Sequence, residues 1–176
     1  GVNTLSIATS GALAALPTSN FTAGTLALTA ANGIGSSSAA LQTNSSNIAL
    51  TNTGSGGIYL TNSGDFTVAA KSTNGDVVIR GSNGATAGAA GSSITVGMVN
   101  GLNGITTTGN AGVQLTAGNG TAGAAGADGT AQNGNAGGAG GSLNLGLIQT
   151  DGALNLRAGD GGVAGRGGMG RTGRML

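Results

Sequence analysis

Val113–Leu145 reads VQLTAGNG (113–120), then TAGAAGADGTAQNGNAGGAGG (121–141), then SLNL (142–145). Two short runs of alternating apolar residues bracket an insert that has no bulky apolar side chain and a single charge, Asp128. The plan recurs on both sides. Val77–Val99 reads VVIRGSNG, ATAGAAG, SSITVGMV, and from Leu154 the chain reads LNLRAGDG followed by GVAGRGGMGRTG. A strand that leaves into a glycine-rich excursion and returns as another strand is therefore a repeating unit. The excursions fall at about 81–92, 118–142 and 159–173.

Outward from this stretch one template repeats: a small or turn residue, then apolar, any residue, apolar. It occurs as TLAL (25–28), NIAL (47–50), GIYL (57–60), DFTV (65–68) and DVVI (76–79). It continues as SITV (93–96), GVQL (112–115), SLNL (142–145) and ALNL (153–156). Alternation with period two, bounded by Gly, Asn, Ser and Asp, predicts short strands with one buried face. The expected core ladder is Ile48, Leu50, Ile58, Leu60, Phe66, Val68, Val77, Ile79, Ile94, Val96, Val113, Leu115, Leu143, Leu145, Leu154 and Leu156. Alanines near Ala12–Leu16 are the one weak helical stretch, and Pro17 marks a turn.

Spacing selects among all-β folds. Ile48 to Phe66 is 18 residues and Ile58 to Val77 is 19, so alternate strands recur at a period near twenty where no insert intervenes. Such a period predicts a parallel β-helix, or β-solenoid, with about six coils stacked at the interstrand distance. Branched aliphatic residues suit the buried columns of a parallel stack. Asn and Gly suit its tight corners. The chain is expected to be one such unit over residues 1–176, a segment of a longer repeat protein.

Inside the excursions glycine recurs at every third residue: Gly120, Gly123, Gly126 and Gly129, then Gly159, Gly162, Gly165 and Gly168. That spacing suits an extended threefold helix of the polyproline II type with one edge bare for close approach, excursions from neighbouring coils lying side by side and hydrogen-bonded through their backbones. It also suits a solvated loop. These eight glycines are the candidate interaction surface.

Composition excludes several functions. Glycine numbers 39 in 176 residues, charged residues are 6%, and Glu, His, Cys and Trp are absent. Hydrophobic residues at 38% argue against disorder, and a net charge of +1 gives no clustered basic surface for nucleic acid. No apolar run reaches the length of a membrane span. Of the five aspartates, Asp65 and Asp76 follow glycines just before strands, which is turn chemistry. Too few carboxylates exist for a row of calcium sites, and no cofactor, metal or catalytic residue is expected. Thr-x-Thr at Thr51–Thr53 and within Thr106–Thr108 is what a flat ice-binding face requires, but the other repeats lack it. Arg157, Arg166, Arg171 and Arg174 gather near the end of the chain, where they solvate an exposed loop.

The repeats GGIYLTNSGDFTVAAKSTNGDVVIRG (56–81) and NAGVQLTAGNG (110–120) resemble the shafts of filamentous haemagglutinin-type adhesins. The likeness runs from about Thr25 to Gly162. It implies a right-handed parallel β-helix in a secreted bacterial exoprotein, displayed at the cell surface or released, that serves adhesion or biofilm cohesion. The long glycine-rich inserts depart from that pattern. Two functions follow: a non-enzymatic shaft that self-associates, or a module that binds surface glycans through the glycine-rich loops.

Overall fold

The computed structural model describes residues 3–14, 20–127 and 132–168. Among them the chain is all β, with no helix. Its strands are β1 (Thr4–Thr9), β2 (Asn20–Ala30), β3 (Leu41–Asn52), β4 (Ile58–Asn62), β5 (Phe66–Thr73), β6 (Val77–Gly81) and β7 (Ile94–Val96). They continue as β8 (Met98–Val99), β9 (Leu102–Asn103), β10 (Ile105–Thr108), β11 (Val113–Thr116), β12 (Leu143–Asn144), β13 (Ile148–Gln149) and β14 (Leu154–Arg157). Twelve of these form one sheet, and every pairing within it is parallel.

The register shows how the alternating runs are used. Ile7, Leu28, Leu50, Ala70, Ile105 and Ile148 form one column of in-register neighbours. Leu13, Ile34, Ile58, Val77, Val113 and Leu154 form a second. Each column passes through six successive rungs. The step from Ile58 to Val77 is 19 residues, but from Val77 to Val113 it is 36 and from Val113 to Leu154 it is 41. The surplus leaves the stack as the glycine-rich inserts and, before Val113, also as a hairpin at Met98–Asn103, so the columns stay continuous. One expected pairing shifts. Ile48 lies beside Val68, not Phe66, which pairs with Ile94. A slip of two residues keeps the same face inward, so the pattern tolerates it.

Leu, Ile and Val supply almost all of the core. Ile48, Leu50, Ile58, Leu60, Phe66, Val68, Val77, Ile79, Ile94, Val96, Val113 and Leu115 are buried, with Leu26, Leu28, Ile34, Leu41 and Ile105 among them. Burying one such side chain contributes roughly 1.5–3 kcal/mol. The last rung breaks the expectation. Leu143 is half-buried, and Leu145, Leu154 and Leu156 are 44%, 48% and 37% exposed. They follow the core template, but among the described residues no further strand stacks on their outer side.

Two buried asparagines hold the corners between rungs. Asn62 Oδ1 accepts the Ser45 N–H at 2.9 Å and the Thr43 hydroxyl at 2.8 Å, while its Nδ2 donates to the Ser63 carbonyl at 2.9 Å. Asn52 Oδ1 accepts the Gly33 N–H at 3.0 Å, and its amide donates to the Gly54 carbonyl at 3.0 Å. An amide side chain here replaces the backbone partner that a bend removes. Among the described residues no buried side-chain polar atom lacks a partner. Asn62→Leu keeps the branched shape but is bulkier and strands the Ser45 N–H, leaving the Thr43 hydroxyl only the Thr61 carbonyl at 3.4 Å, so it should cost about 2–4 kcal/mol. Urea unfolding at constant m checks this, and a loss under about 0.5 kcal/mol would show that water takes over the Ser45 N–H.

Met98–Asn103 adds a feature outside the parallel stack. Strands β8 and β9 form an antiparallel hairpin across Asn100 and Gly101, at φ 49° and 82°. Positive φ at both central residues matches the turn that Asn-Gly favours. The hairpin lays Val99 and Leu102 over Ala27, Ala49 and Ala69 on the sheet's outer face.

Candidate functional site: a glycine-edged bundle

The inserts pack on one another. Residues 118–127, 132–141 and 159–168 carry glycine at every third position: Gly120, Gly123 and Gly126 in the first, Gly134, Gly137 and Gly140 in the second, Gly159, Gly162, Gly165 and Gly168 in the third. None of the three lies in a strand or a helix, yet all are tied by backbone hydrogen bonds with the same period of three. In the first segment Gly120, Gly123 and Gly126 N–H donate to the carbonyls of Asp160, Val163 and Arg166 in the third, at 2.8–2.9 Å. In the third Gly159, Gly162, Gly165 and Gly168 donate to Gly141, Gly138, Asn135 and Gln132 of the second. The second closes the circuit: Asn135, Gly138 and Gly141 donate to Ala124, Thr121 and Gly118, each at 2.8 Å. First and third segments therefore run parallel, and the second runs antiparallel to both.

Glycine is required by the closeness of this approach. A Cβ on Gly123 would lie 1.9 Å from the Asn135 carbonyl oxygen, and one on Gly162 would lie 1.9 Å from that of Thr121. On Gly137 it would lie 2.0 Å from the Gly162 carbonyl oxygen. Doublets serve two neighbours at once. Beside Gly137, the next glycine, Gly138, abuts the earlier insert, where a Cβ would fall 1.9 Å from the Ala89 carbonyl oxygen. That insert joins the bundle through Gly84 N–H to Asn119 O at 2.9 Å and Gly88 N–H to Ala122 O at 2.8 Å.

The candidate glycines are accordingly half-buried in the seams of the bundle. Their bare edges lie where the backbones of neighbouring segments meet. The outward positions are Ala122, Ala125, Gln132, Asn135, Val163 and Arg166. Gly129, with Asp128, Arg171 and Arg174, lies outside the described residues. Arg157 pairs with Asp160 at 2.7 Å on the surface, a contact that water screens.

The other polar candidates link successive rungs. Asp65 Oδ1 accepts the Ser93 N–H at 2.7 Å, and Asp76 Oδ1 accepts the Gly112 N–H at 2.8 Å. Asn83 Oδ1 receives the Asn119 N–H at 2.8 Å, and Asn119 Oδ1 receives the Asp160 N–H at 2.9 Å. These side chains act as corner acceptors for the following rung, a longer reach than the local turn expected of Asp65 and Asp76. The threonine columns are interrupted: Thr29, Thr51, Lys71, Thr106 and Gln149 succeed one another in register.

A shallow groove of about 420 Å³ escaped sequence reasoning. It is lined by Asp76, Asn110, Gln114, Gly152 and Asn155 on the outer side of the second column. Its residues are scattered over many positions and share no motif, so only the stacking register brings them together. No protein-family model matches the chain, and no curated protein and no solved structure matches it.

Proposed function

We propose that the chain is a length of β-solenoid shaft in a secreted bacterial surface protein of the filamentous haemagglutinin type. Its role is to supply stiffness, length and cohesion, and it is not an enzyme. The observation that carries this reading is the pair of aliphatic columns, each continued in register through six rungs of parallel strands and lying in the buried core. The corner side chains Asp65, Asp76, Asn83 and Asn119 are likewise spent on holding the next rung. In this reading the three glycine segments are threefold extended helices of the polyglycine type, supported by the three-residue hydrogen-bond period and by the bare edges. They stiffen one flank of the shaft. No helix among the described residues is long and apolar enough to cross a membrane.

Display of the chain on the surface of a non-adherent bacterium tests the role. Displaying cells should aggregate with one another, and soluble sugars should not disperse them. A second reading draws on the groove at Gln114 and Asn155, whose amide side chains suit sugar hydroxyls. Aggregation dispersed by one particular glycan, and lost in Gln114→Ala, would transfer the function to glycan binding.

A further inference from the structure

The outward side chains of β4, β6, β11 and β14 form two columns side by side. Tyr59, Val78, Gln114 and Asn155 succeed one another in register, and two residues further along the same strands Thr61, Arg80, Thr116 and Arg157 do the same. The first column carries the groove at Gln114 and Asn155. The second carries another, of about 360 Å³, bounded by Arg80, Arg157 and the corner side chains Asn83 and Asn119. We infer that this face binds an acidic glycan, with a neutral sugar over Gln114 and Asn155 and the carboxylate of the adjoining sugar on Arg80. The inference rests on the glycan reading of the first groove, extends it to the second, and leaves the shaft role standing.

Arg80 is the residue that carries it. The side chain is half-buried between Thr61 and Thr116, and among the described residues its guanidinium has neither an ion pair nor a hydrogen bond. Its nitrogens are open to the groove. A guanidinium stays charged at any working pH and presents its N–H donors in a planar fork. A carboxylate entering the groove can take that fork through two parallel, charge-assisted bonds. Thr61 and Thr116, one rung away on either side, offer hydroxyls to the rest of the ring. The second cation of the column is already engaged: Arg157 Nη2 donates to Asp160 Oδ2 at 2.7 Å. Arg157 therefore adds spare N–H donors to the groove but little net charge.

Charge also fixes which way the glycan lies. Asp76 stands at the margin of the first groove, where its Oδ1 holds the Gly112 N–H at 2.8 Å. A carboxylate placed there meets a like charge, whereas sugar hydroxyls can donate to Asp76. The floor of that groove is apolar: Val78 points outward yet is 8% exposed, beside the half-buried Tyr59. Amide side chains over an apolar floor suit the hydroxyls and the C–H face of a neutral ring. The two columns lie two residues apart along the strands, about 7 Å, close to the length of one sugar unit. A disaccharide laid along the strands therefore reaches both grooves.

Two oligosaccharides of equal length test this, one alternating glucuronic acid with N-acetylglucosamine and one of N-acetylglucosamine alone. In calorimetric titration of the whole chain at low salt, the acidic one should bind at least about tenfold tighter than the neutral one. That advantage should shrink as salt is raised. Arg80→Gln should bring the two ligands to equal affinity, while Arg80→Lys, which keeps the charge and loses the fork, should retain part of the preference. Arg80 points away from the core, so both variants should keep the parent's urea midpoint. Equal binding of the two oligosaccharides by the parent chain, or a preference that survives Arg80→Gln, would overturn the inference. Free glucuronate binding as tightly as the acidic oligosaccharide would overturn it too, by reducing the site to an anion pocket. Neutral binding that is lost in Gln114→Ala, with no preference for the acid, would leave the glycan reading standing alone. Binding of neither oligosaccharide would end both and leave the shaft reading untouched.

Discussion

Gly162→Ala should open the glycine-rich bundle while the strands stay folded, and Gly161→Ala, one residue away, should leave it closed. The two glycines are adjacent and differ in what a methyl group meets. At Gly162 it would stand 1.9 Å from the Thr121 carbonyl oxygen and 2.3 Å from the Thr121 carbonyl carbon. These are backbone atoms, fixed by the Gly138 N–H bond to that same carbonyl at 2.8 Å. Neither partner can rotate away, so the segments must separate and the Gly162 bond to Gly138 is strained or lost. Overpacking of this kind costs about 1–3 kcal/mol, and a lost backbone pair adds about 1 kcal/mol. At Gly161 the nearest atom lies 3.8 Å away and φ is not in the left-handed region. There the methyl group mainly restricts the unfolded chain, which stabilises by about 0.4–1 kcal/mol. Amide hydrogen exchange reads the difference. In Gly162→Ala, protection at Gly138, Gly162 and Gly165 should fall about a hundredfold, while Ile58 and Leu60 keep theirs. Equal behaviour of the two variants would mean that the inserts are solvated loops in solution.

The apolar alternation made the strands and most of the core legible, because the buried apolar columns of a parallel sheet are filled mainly by Leu, Ile, Val and Ala in short alternating runs. Three things were less visible. The first is the fate of Leu145, Leu154 and Leu156. Their local pattern is that of Leu50 or Leu60, and burial depends on a neighbouring rung that no local pattern encodes. The second is the inward polar row Thr43–Ser45–Asn62. Hydroxyl and amide side chains read as loop composition, yet here they hydrogen-bond one another and the backbone, which lengthens β3 to Leu41–Asn52. The third is the hairpin at Met98–Asn103, for which a signal existed: Asn100-Gly101 between short apolar pairs is a strong mark of a tight turn. The glycine period was plain in the sequence. The direction in which the glycines point was not, because a spacing of three is the same whether the bare edge faces solvent or another backbone.

Ile58→Ala should be among the most damaging single changes in the columns, and Leu154→Ala, four rungs from Ile34 in the same column, among the mildest. Ile58 is fully buried between Ile34 and Val77. Its N–H donates to the Asp76 carbonyl at 2.7 Å, and the Gly57 carbonyl beside it receives the Ile34 N–H at 2.9 Å. Truncation leaves a cavity that touches a rung on either side, at a cost of about 2–5 kcal/mol. Against a total stability of about 5–15 kcal/mol for a domain, that is enough to lower the urea midpoint by roughly 1 M or more. Since each rung is supported chiefly by its neighbours, the loss weakens two interfaces at once. Leu154 is 48% exposed, so the same truncation should cost under about 1 kcal/mol. Equal losses in the two variants would show that burial in the columns does not set their stability.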